Sequence, residues 1–294
     1  MVFYTSLVIG GSLGNILIIL VIYRTPALQT VCGVLIANVA VADLIMTSIV
    51  MPIMVFILVQ GLLHQCLYIT PGYVAYLIAL FSAAASLQTL TILSADRCFA
   101  ICRPMKHKVI VTFTKIKIIV AETWIKSLFL PLLEIFYRGS TLSKYLQTFG
   151  VAVCYSMIVL SGVLTIRNVR ANSVRIGTLH SDQGRHAQSR IAADLSQRNK
   201  QVAKTIALVV VLFTLCWIPI ALVIIISVRI PETTQGRFFF WFATLGLANS
   251  SVNPWIYFYR QTNYRDALKV LLGCKRSPSN NVVVLSRNGM QEAS

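Results

Sequence analysis

The stretch Asn249-Ser250-Ser251-Val252-Asn253-Pro254-Trp255-Ile256-Tyr257 decides how this sequence is read, because it sets amides, serine hydroxyls and a proline inside an otherwise apolar run. That run, Phe238 to Tyr259, has no charged side chain and is long enough to cross a bilayer as a helix. Polar groups that lack a partner in hydrocarbon are costly, so residues of this kind turn toward a bundle interior or a water-filled cavity. The proline removes a backbone hydrogen bond and bends the helix. A bend beside buried polar groups is the make-up of a moving part.

The rest of the chain repeats the pattern. Of its 294 residues 56% are hydrophobic and 12% charged, and the mean hydropathy is +0.74. Soluble domains carry roughly a quarter charged residues, so this is a polytopic membrane protein. Runs free of charge extend from Met1 to Tyr23, Thr25 to Leu63 with only Asp43 inside, Cys66 to Ala95, Tyr145 to Ile166 and Thr205 to Val228. A further run, Ile118 to Ile135, is apolar but carries Glu122, Lys126 and Glu134. The expected fold is an all-α membrane protein, a seven-transmembrane helix bundle with spans at 2–23, 31–58, 69–102, 115–136, 145–170, 200–228 and 236–258. Residues 1–273 form one membrane domain in this reading. The first run lacks a basic flank and a small-residue cleavage site, and so reads as a spanning helix rather than a removed leader.

Residues 262–272 combine Ala267, Leu268, Leu271 and Leu272 with Arg265 and Lys269, which predicts a short amphipathic helix on the inner membrane face. Cys274 follows, either a juxtamembrane acylation site or a plain free thiol. Residues 274–294 read as a disordered cytoplasmic tail.

The net charge of +17 follows the loops: 21 of 26 basic residues fall on one side of the expected membrane. That side is the cytoplasm by the positive-inside rule, which places the N-terminus outside and the C-terminus inside. Topology thus accounts for the basic excess, and no nucleic acid is expected as a partner. Cys32, Cys98, Cys102 and Cys274 lie on the cytoplasmic side, Cys154 and Cys216 within spans, and Cys66 outside, so no intrachain extracellular disulfide is expected. His64, His107, His180 and His186 all fall in loops, which leaves no intramembrane metal cluster and argues against an enzyme. Repeated halves, the usual mark of a transporter, are not visible.

Most spans hold one or two residues that do not suit lipid, spaced as though they shared a layer: Asn15, Asp43, Ser86, Trp217, Asn249, Ser250 and Asn253. A carboxylate ringed by hydroxyls and amides can hold a monovalent cation; a polar network that only packs helices together has the same composition. Spacing alone leaves both readings open.

Six landmarks occur in order in successive spans: Gly14-Asn15, Ala40-Val41-Ala42-Asp43, Asp96-Arg97-Cys98, Trp124, Cys216-Trp217-Ile218-Pro219 and Asn253-Pro254-Trp255-Ile256-Tyr257. From Gly10 to Cys274 the chain resembles a rhodopsin-like (class A) G-protein-coupled receptor. The resemblance implies a plasma-membrane receptor that activates a heterotrimeric G protein, with arrestin a further candidate partner. It implies a switch at Asp96 and Arg97, with Tyr155 and Tyr257 approaching each other on activation, and a toggle built from Phe213, Trp217, Pro219, Asn253 and Pro254. It implies an allosteric sodium ion at Asp43, Ser86, Asn249, Ser250 and Asn253. The ligand would sit among Tyr76, Ala79, Leu80, Ser82, Ala83, Trp217, Phe242 and Gly246, which suits a small apolar, lipid or peptide ligand.

The departures from that pattern carry expectations too. Ala79 stands where amine receptors have an aspartate and Leu247 where opsins have the retinal lysine, so neither ligand is expected. Gly72 replaces the cysteine that ties helix three to the second outer loop, Gln147 replaces a proline of helix five, and Cys98 replaces a tyrosine. Asn199 replaces an acid that clamps the switch arginine in many relatives, which predicts a weaker resting lock and basal signalling. Glu122 and Lys126, one turn apart, read as a mutually neutralising pair. The competing function is a non-signalling relative acting as a partner or scaffold.

Overall fold

The computed structural model describes residues 2–63, 69–137, 140–179, 201–202, 204–219 and 232–274. They form α1 (Val2–Arg24), α2 (Val31–Ile45), a π-helical turn (Met46–Val50), α3 (Met51–Leu62), α4 (Ile69–Cys102), α5 (Pro104–Ile110), α6 (Phe113–Ser127), α7 (Phe129–Phe136), α8 (Thr141–Leu179), α9 (Lys204–Pro219), α10 (Glu232–Arg260) and α11 (Thr262–Leu271). The fold is all-α. Seven spans are built from α1, α2 with α3, α4, α6 with α7, α8, α9 and α10; α11 is the amphipathic helix that follows.

Helix α4 is the axis of the bundle and packs against α2, α6, α7 and α8. Around it Ile18, Leu35, Ile36, Leu90, Leu93, Val209 and Tyr257 are almost wholly buried. Residues such as Ile9, Ile125, Phe149 and Val159 point outward. A bilayer removes those side chains from water, so this apolar surface is the expected lipid contact.

Local signals set the helix ends. The Thr30 hydroxyl accepts from the Gly33 amide at 3.1 Å and caps α2, as the Thr112 hydroxyl caps α6. A Cβ on Gly33 would lie 2.0 Å from the Leu28 carbonyl oxygen, so only glycine fits that turn. Helix α11 stops at Gly273, whose φ of +72° lets the Gly273 amide reach the Val270 carbonyl and the Cys274 amide reach that of Lys269. Gly11 and Gly14 let α1 and α10 approach closely, since a side chain at either would collide with Ser251 or Pro254.

Two spans are less regular than the pattern of apolar residues suggests. The second is loosened by the π-helical turn just ahead of Pro52. The fourth breaks at Leu128, where Pro131 has no N–H to give the Ser127 carbonyl and the chain tightens into a shorter turn. Helix α8 runs past its expected inner end, and α5 occupies a stretch expected as loop. The outer part of span six beyond residue 219, the segment 180–200 with Asn199, Cys66 and the tail 275–294 lie outside the described residues.

Candidate functional site

Asp96 lies in the C-terminal part of α4, six residues before its last residue Cys102, and is buried. Its Oδ2 accepts from Arg97 Nε at 2.9 Å and also from Arg97 Nη2. Its Oδ1 lies 2.7 Å from His107 Nε2, carried on α5, whose ring meets that of Phe99 edge-on. One carboxylate therefore holds an arginine on one side and an imidazole on the other, and charge-assisted bonds of this kind can be exchanged when a helix moves. Placing every histidine in a loop concealed His107; the signal for it is Pro104, which starts a helix and turns position 107 back toward α4. Nearby, Gln201 Nε2 donates to the Arg260 carbonyl at 3.0 Å, tying residues just ahead of α9 to the end of α10.

The polar layer lies deeper. Asp43 is 2% exposed and accepts from Asn253 Nδ2 at 2.7 Å, which joins α2 to α10 at the bend. Pro254 leaves the Ser250 carbonyl without its helical donor, and Asn15 Nδ2 supplies one at 3.1 Å while also donating to the Gly11 carbonyl at 2.9 Å. On the far side, Ser82 Oγ donates to the Ala42 carbonyl at 2.5 Å, Asn38 Nδ2 to Thr89 Oγ1 at 2.8 Å, and Trp124 Nε1 to Asn38 Oδ1 at 2.8 Å. Ser86 is one turn along α4 from Ser82, on the same face, and so faces this layer. Ser86 Oγ and Asn253 Oδ1 are buried with no hydrogen-bond partner, and Asn249 and Ser250 are buried beside them.

A carboxylate flanked by an unpartnered hydroxyl and an unpartnered amide oxygen is a hard-oxygen set, which suits an alkali cation. Among the described residues no cluster of three or more His, Cys, Asp or Glu could hold a metal ion.

Above this layer Phe213 and Trp217 of α9 stack, ring centroids 5.7 Å apart and 24° from parallel. Trp217 touches both apolar cores: the inner one with Phe213, Leu90 and Tyr257, and an outer one with Met46, Val50, Met51, Ala75 and Leu247. Ala79 and Ala83 pack into that outer core, and Gly246 lies against the indole, where a Cβ would stand 3.6 Å away. Tyr76 and Leu80 are half-buried on α4. Ser82 is buried, and its hydroxyl donates to the Ala42 carbonyl of α2. The side chain of Phe242 lies outside the described residues, and Pro219 is the last described residue of α9.

The hydroxyls of Tyr155 and Tyr257 are both buried without a partner, so these two tyrosines are not bonded to each other. The Tyr257 ring lies 6.4 Å from Tyr264 of α11, a residue whose burial pushes its phenol well above the ordinary range. Cys274 is exposed. The sequence reading also passed over Glu134, which accepts from Ser143 Oγ and Gln147 Nε2, each at 3.2 Å, beside the first turns of α8. A carboxylate near a helix N-terminus is favoured by the helix dipole, and the polar Gln147 in place of a proline is thereby explained.

Residues 14–257 match the family described as 7 transmembrane receptor (rhodopsin family). Among curated proteins, the thyrotropin-releasing hormone receptor of Bos taurus is 25% identical, the alignment covering 96% of this chain and 81% of that protein. The QRFP-like peptide receptor of Branchiostoma floridae is 24% identical over 94% of this chain and 77% of its own length. The Alpha-1A adrenergic receptor of Oryzias latipes is 26% identical over 90% of this chain and 65% of its own length.

Proposed function

Because the chain belongs to the rhodopsin-like family of seven-transmembrane receptors, and so is a multi-pass membrane receptor and not an enzyme, we propose a specific division of labour among its residues. A ligand enters between the outer halves of α4, α9 and α10 and rests above Trp217, against Ala79, Ala83 and Gly246. Its binding repacks the stacked Phe213 and Trp217, and α9 swings at its inner end. Arg97 then leaves Asp96 and reaches a heterotrimeric G protein, while Tyr155 and Tyr257 gain the partners they lack.

The ligand is a peptide or an apolar small molecule. A relative named for a peptide and an apolar residue at Ala79 support that choice, and no carboxylate stands at that position to pair with an amine. Asp43 supplies the charge for a sodium ion, and Ser86, Asn249, Ser250 and Asn253 supply neutral oxygens. The N-terminus faces outward and the C-terminus the cytoplasm, in keeping with the basic inner loops.

The observation that carries this reading is the Arg97 guanidinium held by a buried carboxylate at the inner end of the central helix. Its test is G-protein dissociation in cells expressing the chain, basally and across a ligand panel, beside Arg97→Ala. The expected result is a signal that vanishes in the variant. Equal silence in both, with surface expression verified, overturns the proposal.

A further inference from the structure

The chain has nine acidic residues against a net charge of +17, and among the described side chains Glu134 is the one carboxylate near the outer end of the bundle. Asp43 lies in the middle layer, Asp96 and Asp266 toward the inner end, and Glu122 on the outward face of α6. Glu134 stands two residues before Phe136, the last residue of α7, so it is about 3 Å from the helix end along the axis. That is the level at which a ligand would enter.

Three elements meet around it. Glu134 Oε2 accepts from Ser143 Oγ and Gln147 Nε2 of α8, each at 3.2 Å, and Gln147 Nε2 also donates to Ser143 Oγ at 3.1 Å. Ser143 is buried, so this side of the carboxylate is closed by protein. Tyr76 of α4 lies within electrostatic reach of the same carboxylate, and α4 packs against both α7 and α8. Tyr76, Ala79 and Ala83 follow one another at three- and four-residue spacing on one face of α4, a path that leads from Glu134 to Trp217.

The charge of Glu134 is oriented but not answered. Ser143 and Gln147 are neutral, and the N-terminus of α8 supplies about half a positive charge. Among the described residues Glu134 belongs to no ion pair, and its Oε1 accepts no hydrogen bond. The side chains of Arg138 and Lys144, the basic residues that follow it, lie outside the described residues. A half-buried carboxylate with one oxygen held by neutral donors and the other left over suits a guanidinium or an ammonium, which gives it both charge and donors.

We propose that Glu134 is the anionic anchor of the ligand space, pairing with a guanidinium or ammonium group of a peptide whose apolar part runs past Tyr76 to the contacts around Trp217. The proposal rests on the reading that a ligand enters between the outer halves of the helices. It sets the carboxylate that meets a cation at the corner of α7 and α8 instead of at Ala79, and it selects a basic peptide over a neutral small molecule.

The test is binding of two sets of short fluorescent peptides to membranes from cells expressing the full chain. One set has apolar residues and a single arginine or lysine; the other has citrulline or acetyl-lysine in its place, and both are acetylated and amidated at their ends. Wild type should bind the cationic set about tenfold or more tightly than the neutral set. Glu134→Gln keeps an oxygen for Ser143 and Gln147, and should erase that preference while leaving the neutral set unchanged. A Glu134 that only pins α7 to α8, or that is already neutralised by Arg138 or Lys144, predicts otherwise. Wild type binding both sets alike, binding neither, or a variant that weakens both equally would overturn the proposal. Binding is read without a G protein, so a chain that prefers the cationic set yet fails to signal counts against the switch at Arg97 and for the anchor at Glu134.

Discussion

Two carboxylates at hydrocarbon depth are treated in opposite ways by this molecule. Asp43 is walled in by α2, α4 and α10, and its neighbours are neutral amides and hydroxyls. Glu122 is left on the outside and answered by one lysine on its own helix. The first arrangement leaves Ser86 Oγ and Asn253 Oδ1 over, and spare oxygens around an anion suit the cation proposed there. The second leaves an exposed pair of opposite charges. Enclosure therefore decides what answers a polar group in a membrane: inside, the groups of other helices; outside, a neighbour on the same helix.

The comparison breaks most sharply at Asn253. Asn253→Ala should cost about 2 kcal/mol, because it strands a buried carboxylate, and thermal unfolding of the purified chain would read the loss. Sodium sharpens the same side. At about ten times its dissociation constant it should stabilise wild type by about 1.4 kcal/mol relative to a potassium buffer, and Asp43→Asn should show no difference between the two salts. Trp124→Phe tests the far edge of the layer: the Asn38 amide oxygen loses its donor, and about 1 kcal/mol of stability should go with it. On the outer side, Glu122→Gln in detergent should shift stability by less than about 0.5 kcal/mol, since detergent and water screen an exposed pair. A large loss there would mean that the pair holds the fold and not a surface.

Much of this was legible in the residues. Polar side chains inside apolar runs have few places to go, so Asn15, Asp43, Ser86, Asn249, Ser250 and Asn253 read as one layer from the residues alone. Direction was harder to read. Ser82 has the same chemistry as Ser86 but donates to the Ala42 carbonyl, because only the packing of α4 on α2 tells which carbonyl a hydroxyl meets. His107 was hidden by the assumption that a short inner connection has no helix, and Glu134 by treating the fourth run as uniform when Pro131 breaks it. The use of Asn15 on the carbonyl freed by Pro254 joins residues 235 positions apart, and no local pattern reports such a bond.

Trp217 carries a consequence of its own. Its indole N–H is buried and meets no acceptor, while its ring is the contact that the inner and outer apolar cores share. No hydrogen bond has to break for the ring to turn; one set of dispersion contacts is exchanged for another. The rotation is then governed by shape, so molecules bound above it would be graded as weak or strong activators by their bulk against the indole rather than by their polarity.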